Sequence, residues 1–320
     1  MNNLIDTIEV DSNNSDMHKF ENPNFTVNGK VRATVSPTNL ETLWINTGTL
    51  CNLSCKNCYI ESTPTNDRLS FITVSEVGKL LEEISTEQLL TKEIGFTGGE
   101  PFLNEDLIPM LNLSLQKGFT VLILTNAMKT MISASRDLLD LKQQYPNHFK
   151  IRVSLDHYKE TLHSKERGRR SWKPALQGLR WLSDNNFDFS IAGRTYWGET
   201  EQAMRAGYQA LFKKESINLD AKKTSHLVLF PEMDDSQDVP EITSECWQIL
   251  KKQPTELMCS STRMAVKRKE DTRVSIMACT LLPYDQRFNL GKTLKESLKP
   301  VSLNHPHCSK FCMLGGGSCS

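Results

Sequence analysis

From residue 41 to residue 230 the chain alternates between two hydrophobic rhythms. Short apolar runs of strand character cover 41–48 (ETLWINTG), 94–97, 121–124, 151–155, 187–192 and 227–230. Between them, apolar residues recur at three- and four-residue spacing, as Val74, Val77, Leu80, Leu81 and Ile84 do in 73–84. That spacing predicts helices over 73–84, 107–116, 132–144, 174–182 and 202–212. Strands alternating with helices over short connections imply parallel βα units. Six strands fall short of the eight of a closed barrel, so the expected fold is α/β, a partial (β/α)6 TIM-like barrel.

The rhythm stops outside that stretch. Residues 1–40 are rich in Asn, Asp, Ser and Pro and read as an irregular leader. Residues 231–244 open on an acidic, proline-containing run (PEMDDSQDVPE) and read as a linker. Residues 245–320 are short-element and cysteine-rich, and are expected to form a small α+β domain.

Composition narrows the classes. Lys+Arg and Asp+Glu are both 38, so nothing in the charge favours nucleic acid or an anionic membrane surface. No apolar run approaches the roughly 20 residues that span a bilayer, and the polar N-terminus has no signal-peptide core. A soluble cytoplasmic protein is the expectation. In a reducing compartment the nine cysteines point to metal or catalytic roles rather than to disulfides. They fall in two groups, Cys51–Cys58 and Cys246–Cys319, which suggests two metal centres.

The first group, Cys51, Cys55 and Cys58, follows the first strand as C-x3-C-x2-C. Three thiolates hold three irons of a 4Fe–4S cluster and leave the fourth open. A zinc knuckle is the bland alternative, but zinc sites favour paired C-x2-C ligands closed by a fourth Cys or His. The second strand runs into Gly98-Gly99-Glu100. Paired glycines allow close backbone approach to a ligand, and Glu100 supplies a carboxylate for a cationic amine. The alternative is an ordinary strand-to-loop turn.

These residues resemble the radical S-adenosylmethionine (SAM) superfamily across 41–230. CNLSCKNCY is similar to its cluster loop, and GFTGGEPF to the motif that holds the amino group of SAM. The resemblance implies that Cys51, Cys55 and Cys58 ligate a 4Fe–4S cluster and that Gly98, Gly99 and Glu100 bind SAM at the open iron. The position before the third cysteine is often aromatic in the family; here it is Asn57, with Tyr59 just after Cys58 and counted with the cofactor-binding set. LTNA resembles a third-strand segment that borders SAM and brings in Asn126. RVSLDHY resembles a fourth-strand segment in which Ser154 reaches SAM and Asp156 faces the substrate, with His157 beside it as a second catalytic candidate. Arg194, at the fifth strand end, is placed to pair with the SAM carboxylate. Ser154 as a strand cap, Asp156 as a helix opener and Arg194 as a surface pair are the plain alternatives.

The distal cysteines resemble a SPASM or shorter twitch extension. The likeness implies a hairpin from 266–268 and 273–277, a Leu290-Gly291 turn and a helix over 294–298. Cys259, Cys279, Cys308 and Cys312 would be ligands of one auxiliary 4Fe–4S cluster, with Cys319 as an extra or alternative. Zinc, or His305 and His307 as ligands, stays open, and Cys246 beside Trp247 reads as a core thiol.

The resemblance implies reductive cleavage of SAM to a 5′-deoxyadenosyl radical and hydrogen abstraction from a substrate. A reductase or a flavodoxin- or ferredoxin-type protein would supply the electron. Only about 40 residues precede the first strand, short for a leader-peptide-binding domain, which favours a small molecule or a peptide delivered by a separate partner. The likeness to twitch-type enzymes, which include small-molecule dehydrogenases, implies oxidation with the auxiliary cluster as electron acceptor, ahead of C–C or C–S bond formation on a peptide. A non-catalytic iron–sulfur or zinc protein is the reading from another class.

Overall fold

The computed structural model describes residues 18–195, 197–231 and 238–316. A two-residue strand, β1 (Thr34–Val35), precedes the barrel strands β2 (Thr42–Asn46), β3 (Glu93–Thr97), β4 (Thr120–Thr125), β5 (Phe149–Ser154), β6 (Asp188–Arg194) and β7 (Leu227–Phe230). These six lie side by side in chain order and are parallel throughout. Helices α1 (Val74–Thr86), α2 (Leu107–Gln116), α3 (Lys129–Ser133), α4 (Ser135–Gln144), α5 (Glu160–Arg167), α6 (Trp172–Asp184) and α7 (Glu201–Lys214) run between them. The partial barrel and its strands therefore stand as the periodicity predicts.

Helix α1 shows why. Its apolar stripe, Val77, Leu80, Leu81 and Ile84, is buried, and Thr73 closes a capping box with Glu76. Strand parity then divides two cores. Leu43 and Ile45 of β2 face the helices, whereas Trp44 belongs to a second core with Met264, Met277, Phe288 and Phe311. Trp44 lies across Gly95, where a β-carbon would sit 2.4 Å from the indole.

Three local expectations change. The helix expected over 132–144 breaks at Ala134 into α3 and α4. Helix α5 was not expected; His163 and Glu166 are its buried residues, so it carries no apolar rhythm. Residues 294–297 form turns, and no helix stands at 294–298.

After β7 the chain passes α8 (Cys246–Ile249) and returns to the barrel. β8 (Thr262–Val266) pairs parallel with β2, and β9 (Ser275–Met277) and β10 (Asn289–Gly291) follow antiparallel. The expected hairpin exists, with its first strand at 262–266 rather than 266–268, and it extends the barrel sheet to nine strands. A last strand, β11 (Val301–Ser302), pairs with β1. Leader and distal segment are tied further by a buried Arg32–Glu241 pair at 2.5 Å. Among the described residues no helix is long and apolar enough to cross a membrane.

Candidate active site

The loop after β2 carries Cys51, Cys55 and Cys58 across the carboxyl ends of the strands. Two backbone bonds continue the β2–β3 pairing into it: Gly99 N donates to Gly48 O (2.8 Å) and Glu100 N to Leu50 O (3.0 Å). A β-carbon on Gly99 would lie 2.0 Å from Leu50 O, and one on Gly98, whose φ is +141°, 2.5 Å from Gly48 O. The glycine pair is thus needed first so that the cysteine loop can lie on it. Both glycines also line the cavity beneath that loop.

Glu100 is buried in this cavity. Its Oε1 accepts from Thr125 Oγ1 (2.7 Å) and its Oε2 from Asn126 N (2.9 Å). Burial outweighs these neutral donors and pushes its pKa up to about 7. A buried carboxylate held only by neutral donors fits a cationic ligand group. Asn126 also donates through Nδ2 to Asn52 Oδ1 in the cysteine loop (2.7 Å), so the β4 end clasps that loop.

The sulfurs are prepared similarly. Leu53 N points at Cys51 Sγ and Ser62 N at Cys58 Sγ, both at 3.4 Å. Amide donors to sulfur suit thiolates bound to a cluster. Without a metal, burial pushes the Cys51 thiol up to about 12 and also raises Cys55. Among the described residues no three His, Cys, Asp or Glu side chains converge as for one metal ion.

Helix α5 braces the loop from the far side. Lys56 N donates to Glu166 O (2.8 Å), Asn57 Nδ2 to Glu166 Oε1 (3.1 Å), and Arg194 Nη2 to Asn57 O (2.9 Å). Asn57, the departure from the family pattern, is therefore a fixed point between α5 and β6.

A second cavity adjoins the first and shares Tyr59, Leu124, Ser154, Arg167 and Arg194 with it. Its polar end holds Arg152 and Asp156, and its apolar walls are Phe230, Leu281 and Phe311. Of the expected residues, Tyr59, Gly98, Gly99, Glu100, Asn126, Ser154 and Arg194 all line these two cavities. Asp156 lines the second, but Arg167 grips it at 2.7 and 3.1 Å, and Arg194 Nε stands 3.5 Å away. Burial opposes the Asp156 charge, yet these guanidiniums hold its carboxyl below the usual carboxylate range. A carboxylate so paired is a poor proton acceptor. His157 lines neither cavity: it is fully buried, its Nδ1 accepts from Lys159 N (2.9 Å) and its Nε2 lies 3.3 Å from Glu199. The expectation puts it beside Asp156 at the site; the structure places it behind the cavity wall, packed against Tyr158 and Trp197. Arg167 is a site residue that periodicity did not reveal.

Four of the distal cysteines lie on one core. Cys259, Cys279, Cys308 and Cys312 share the second core, and burial, then Cys279, then Cys259 raise the Cys308 thiol well above its ordinary value. Cys308 and Cys312 sit on a short π-helical segment, Cys308–Leu314. Cys246 is half-buried, 3.5 Å from Thr243 Oγ1. Cys319 lies outside the described residues.

A parallel half-barrel with a three-thiol loop and a buried Glu100 at its carboxyl mouth defines a class, the cluster-bearing partial barrels. The Radical SAM superfamily model matches residues 45–205, half of the chain, and the chain belongs to that superfamily. Such barrels are enzymes that use a 4Fe–4S cluster and SAM. Among curated proteins, the antilisterial bacteriocin subtilosin biosynthesis protein AlbA of Bacillus subtilis is 29% identical over 143 residues, 44% of this chain and 30% of AlbA. An S-adenosylmethionine-dependent nucleotide dehydratase of Selenomonas ruminantium is 32% identical over 76 residues, 24% of this chain and 26% of that protein. The matches thus span less than a third of either relative. Among solved structures, Streptococcus suis SuiB bound to S-adenosylmethionine aligns over 80% of this chain and 63% of SuiB, with TM-score 0.57 and 11% identity. The enzyme anSMEcpe with bound AdoMet aligns over 80% and 76%, with TM-score 0.58 and 16% identity. Those two likenesses are of fold.

Proposed function

We propose that Cys51, Cys55 and Cys58 hold a 4Fe–4S cluster and that Glu100, with Gly98, Gly99, Asn126 and Ser154, holds SAM against it. The observation that carries this is Glu100, a buried carboxylate held by neutral donors and opening on the same cavity as the three thiols. When bound, the cluster supplies the electron that splits SAM and so generates a 5′-deoxyadenosyl radical.

The chain's own residues do the placing. Glu100 receives the amino group, Arg194 is near enough to serve the carboxylate, and Tyr59 and Leu124 wall the passage to the second cavity. Phe230, Leu281 and Phe311 give that cavity apolar walls, against which a substrate C–H bond would lie. Arg167 and Arg194 fix Asp156, so Asp156 contributes charge and shape rather than taking a proton.

Cys259, Cys279, Cys308 and Cys312 are read as ligands of one auxiliary cluster, because three of them interact electrostatically in one core. A reductase or a flavodoxin- or ferredoxin-type donor would reduce the first cluster. For the substrate, a peptide is favoured over the small molecule expected from the sequence. AlbA is named for bacteriocin biosynthesis, SuiB has been solved with precursor peptide SuiA, and anSMEcpe with Cp18Cys peptide. Oxidation of a small molecule is the second reading, favoured by the apolar enclosure of the second cavity.

Anaerobic reconstitution tests the assignment. Seven to eight irons per chain, roughly, support two clusters, and SAM with dithionite should release 5′-deoxyadenosine. Zinc without iron would overturn it.

A further inference from the structure

Among the described residues the buried arginines are Arg32 and Arg263, and Arg167 is largely buried; two of these three have carboxylate partners. Arg32 meets Glu241 at 2.5 Å and Arg167 meets Asp156 at 2.7 Å. Arg263, only 1% exposed, meets no carboxylate among the described residues. Its Nη1 donates to Cys259 O (2.6 Å) and Thr262 O (2.7 Å), its Nε to Ser297 O (3.0 Å) and its Nη2 to Lys299 O (3.5 Å). Carbonyl oxygens satisfy the donors but leave the charge uncompensated. A guanidinium does not shed its proton to escape burial. An unpaired buried charge is strongly destabilising, so an anion is called for at this place.

The groups near enough to supply it are thiols. Arg263 touches the Cys259 backbone directly, and Cys259, Cys279 and Cys308 lie in the core that the next residue of β8, Met264, enters. Arg263, on β8, lies four residues beyond Cys259 and holds that residue's carbonyl, so charge and backbone position are coupled.

We infer that Arg263 is the built-in counter-charge of the distal centre, a positioning residue that holds the Cys259 backbone and raises the reduction potential of a cluster bound by Cys259, Cys279 and Cys308. The inference rests on the auxiliary-cluster reading above. Its physical basis is that cluster potentials follow net charge and hydrogen bonding around the sulfurs. Removing a nearby buried positive charge disfavours the added electron.

The test uses the full chain, reconstituted anaerobically, as wild type, Arg263→Gln and Arg263→Lys. Iron is counted, and each cluster signal is followed by EPR during a potentiometric titration. In Arg263→Gln the distal midpoint should fall by at least a tenfold change in the reduction equilibrium, or 59 mV for one electron. The Cys51 centre should not move, and Arg263→Lys should stay near the wild-type value. Full distal iron with an unshifted midpoint in Arg263→Gln overturns the inference. So does an Arg263→Lys shift as large as that of Arg263→Gln, which would make the effect one of packing. If Arg263→Gln does not fold, Arg263→Met takes its place, with the same expected fall and the same contrary result. Wild-type protein with iron only at the Cys51 loop overturns the distal-centre reading itself, and that is seen before any variant is compared.

Discussion

Arg167 grips Asp156 with two hydrogen bonds, Nε to Oδ2 at 2.7 Å and Nη2 to Oδ1 at 3.1 Å, directly beneath the cysteine loop. The pair joins the end of α5 to the end of β5, and Trp197 Nε1 caps it by donating to Asp156 O (3.2 Å). Both side chains are largely buried, at 13% and 3% exposure. Removing one partner of a buried pair typically destabilises by about 3–5 kcal/mol. Arg167→Met should lower the denaturant midpoint accordingly. Arg167→Met with Asp156→Asn should recover part of the loss. Additive losses in that double-mutant cycle would show the two do not act together.

Glu100 makes a pH prediction whose sign is fixed by its raised pKa. Between the ordinary value of 4.5 and about 7, the unfolded chain binds fewer protons at this site than the folded chain. Stability contributed by Glu100 therefore falls as pH rises through that window and is flat above it. Glu100→Gln should be less sensitive to pH than wild type over this range, as read from urea midpoints. The SAM ammonium favours the ionised form, so SAM affinity should weaken as pH drops below about 7. In Glu100→Gln that pH dependence should vanish. Parallel slopes for both proteins would remove Glu100 from the explanation.

Tyr284 connects the distal segment to the cysteine loop. Its OH donates to Ile60 O (2.7 Å), two residues past Cys58, and Arg68 stacks over its ring at 3.7 Å. Five residues back along the chain is Cys279. Tyr284→Phe keeps the ring and loses the hydrogen bond, worth about 1 kcal/mol. The loop should loosen, raising KM for SAM more than it lowers kcat. An unchanged KM would mean the contact does not position the loop.

The barrel was legible because each strand and most helices carry their own rhythm. Leu43, Ile45, Ile94 and Phe96 announce strands without help from the rest of the chain. Glu100 and the cysteines were legible because their residue types have few other uses at strand ends. Helix α5 was not, since its role is to present Glu166 and Arg167 rather than an apolar face. Proximity in the chain brings His157 to the site, whereas strand parity separates it from the cavity wall. Arg152, Ser154 and Asp156 line the second cavity, and His157, one residue on, does not. The pairing of β8 with β2 lies beyond local pattern, because it depends on which edge a distant segment finds. Ala127 holds a left-handed φ of 55°, a cost visible only in the backbone.

The most direct test of the central claim is EPR of the reduced protein with and without SAM. Glu100 and the three thiols line one cavity, so SAM bound there should alter the signal of the Cys51 centre. The signal itself should be absent when Cys51, Cys55 and Cys58 are replaced by Ala, and the SAM effect should weaken in Glu100→Gln. An iron signal from that loop that saturating SAM leaves unchanged, or one that survives loss of all three cysteines, would contradict it.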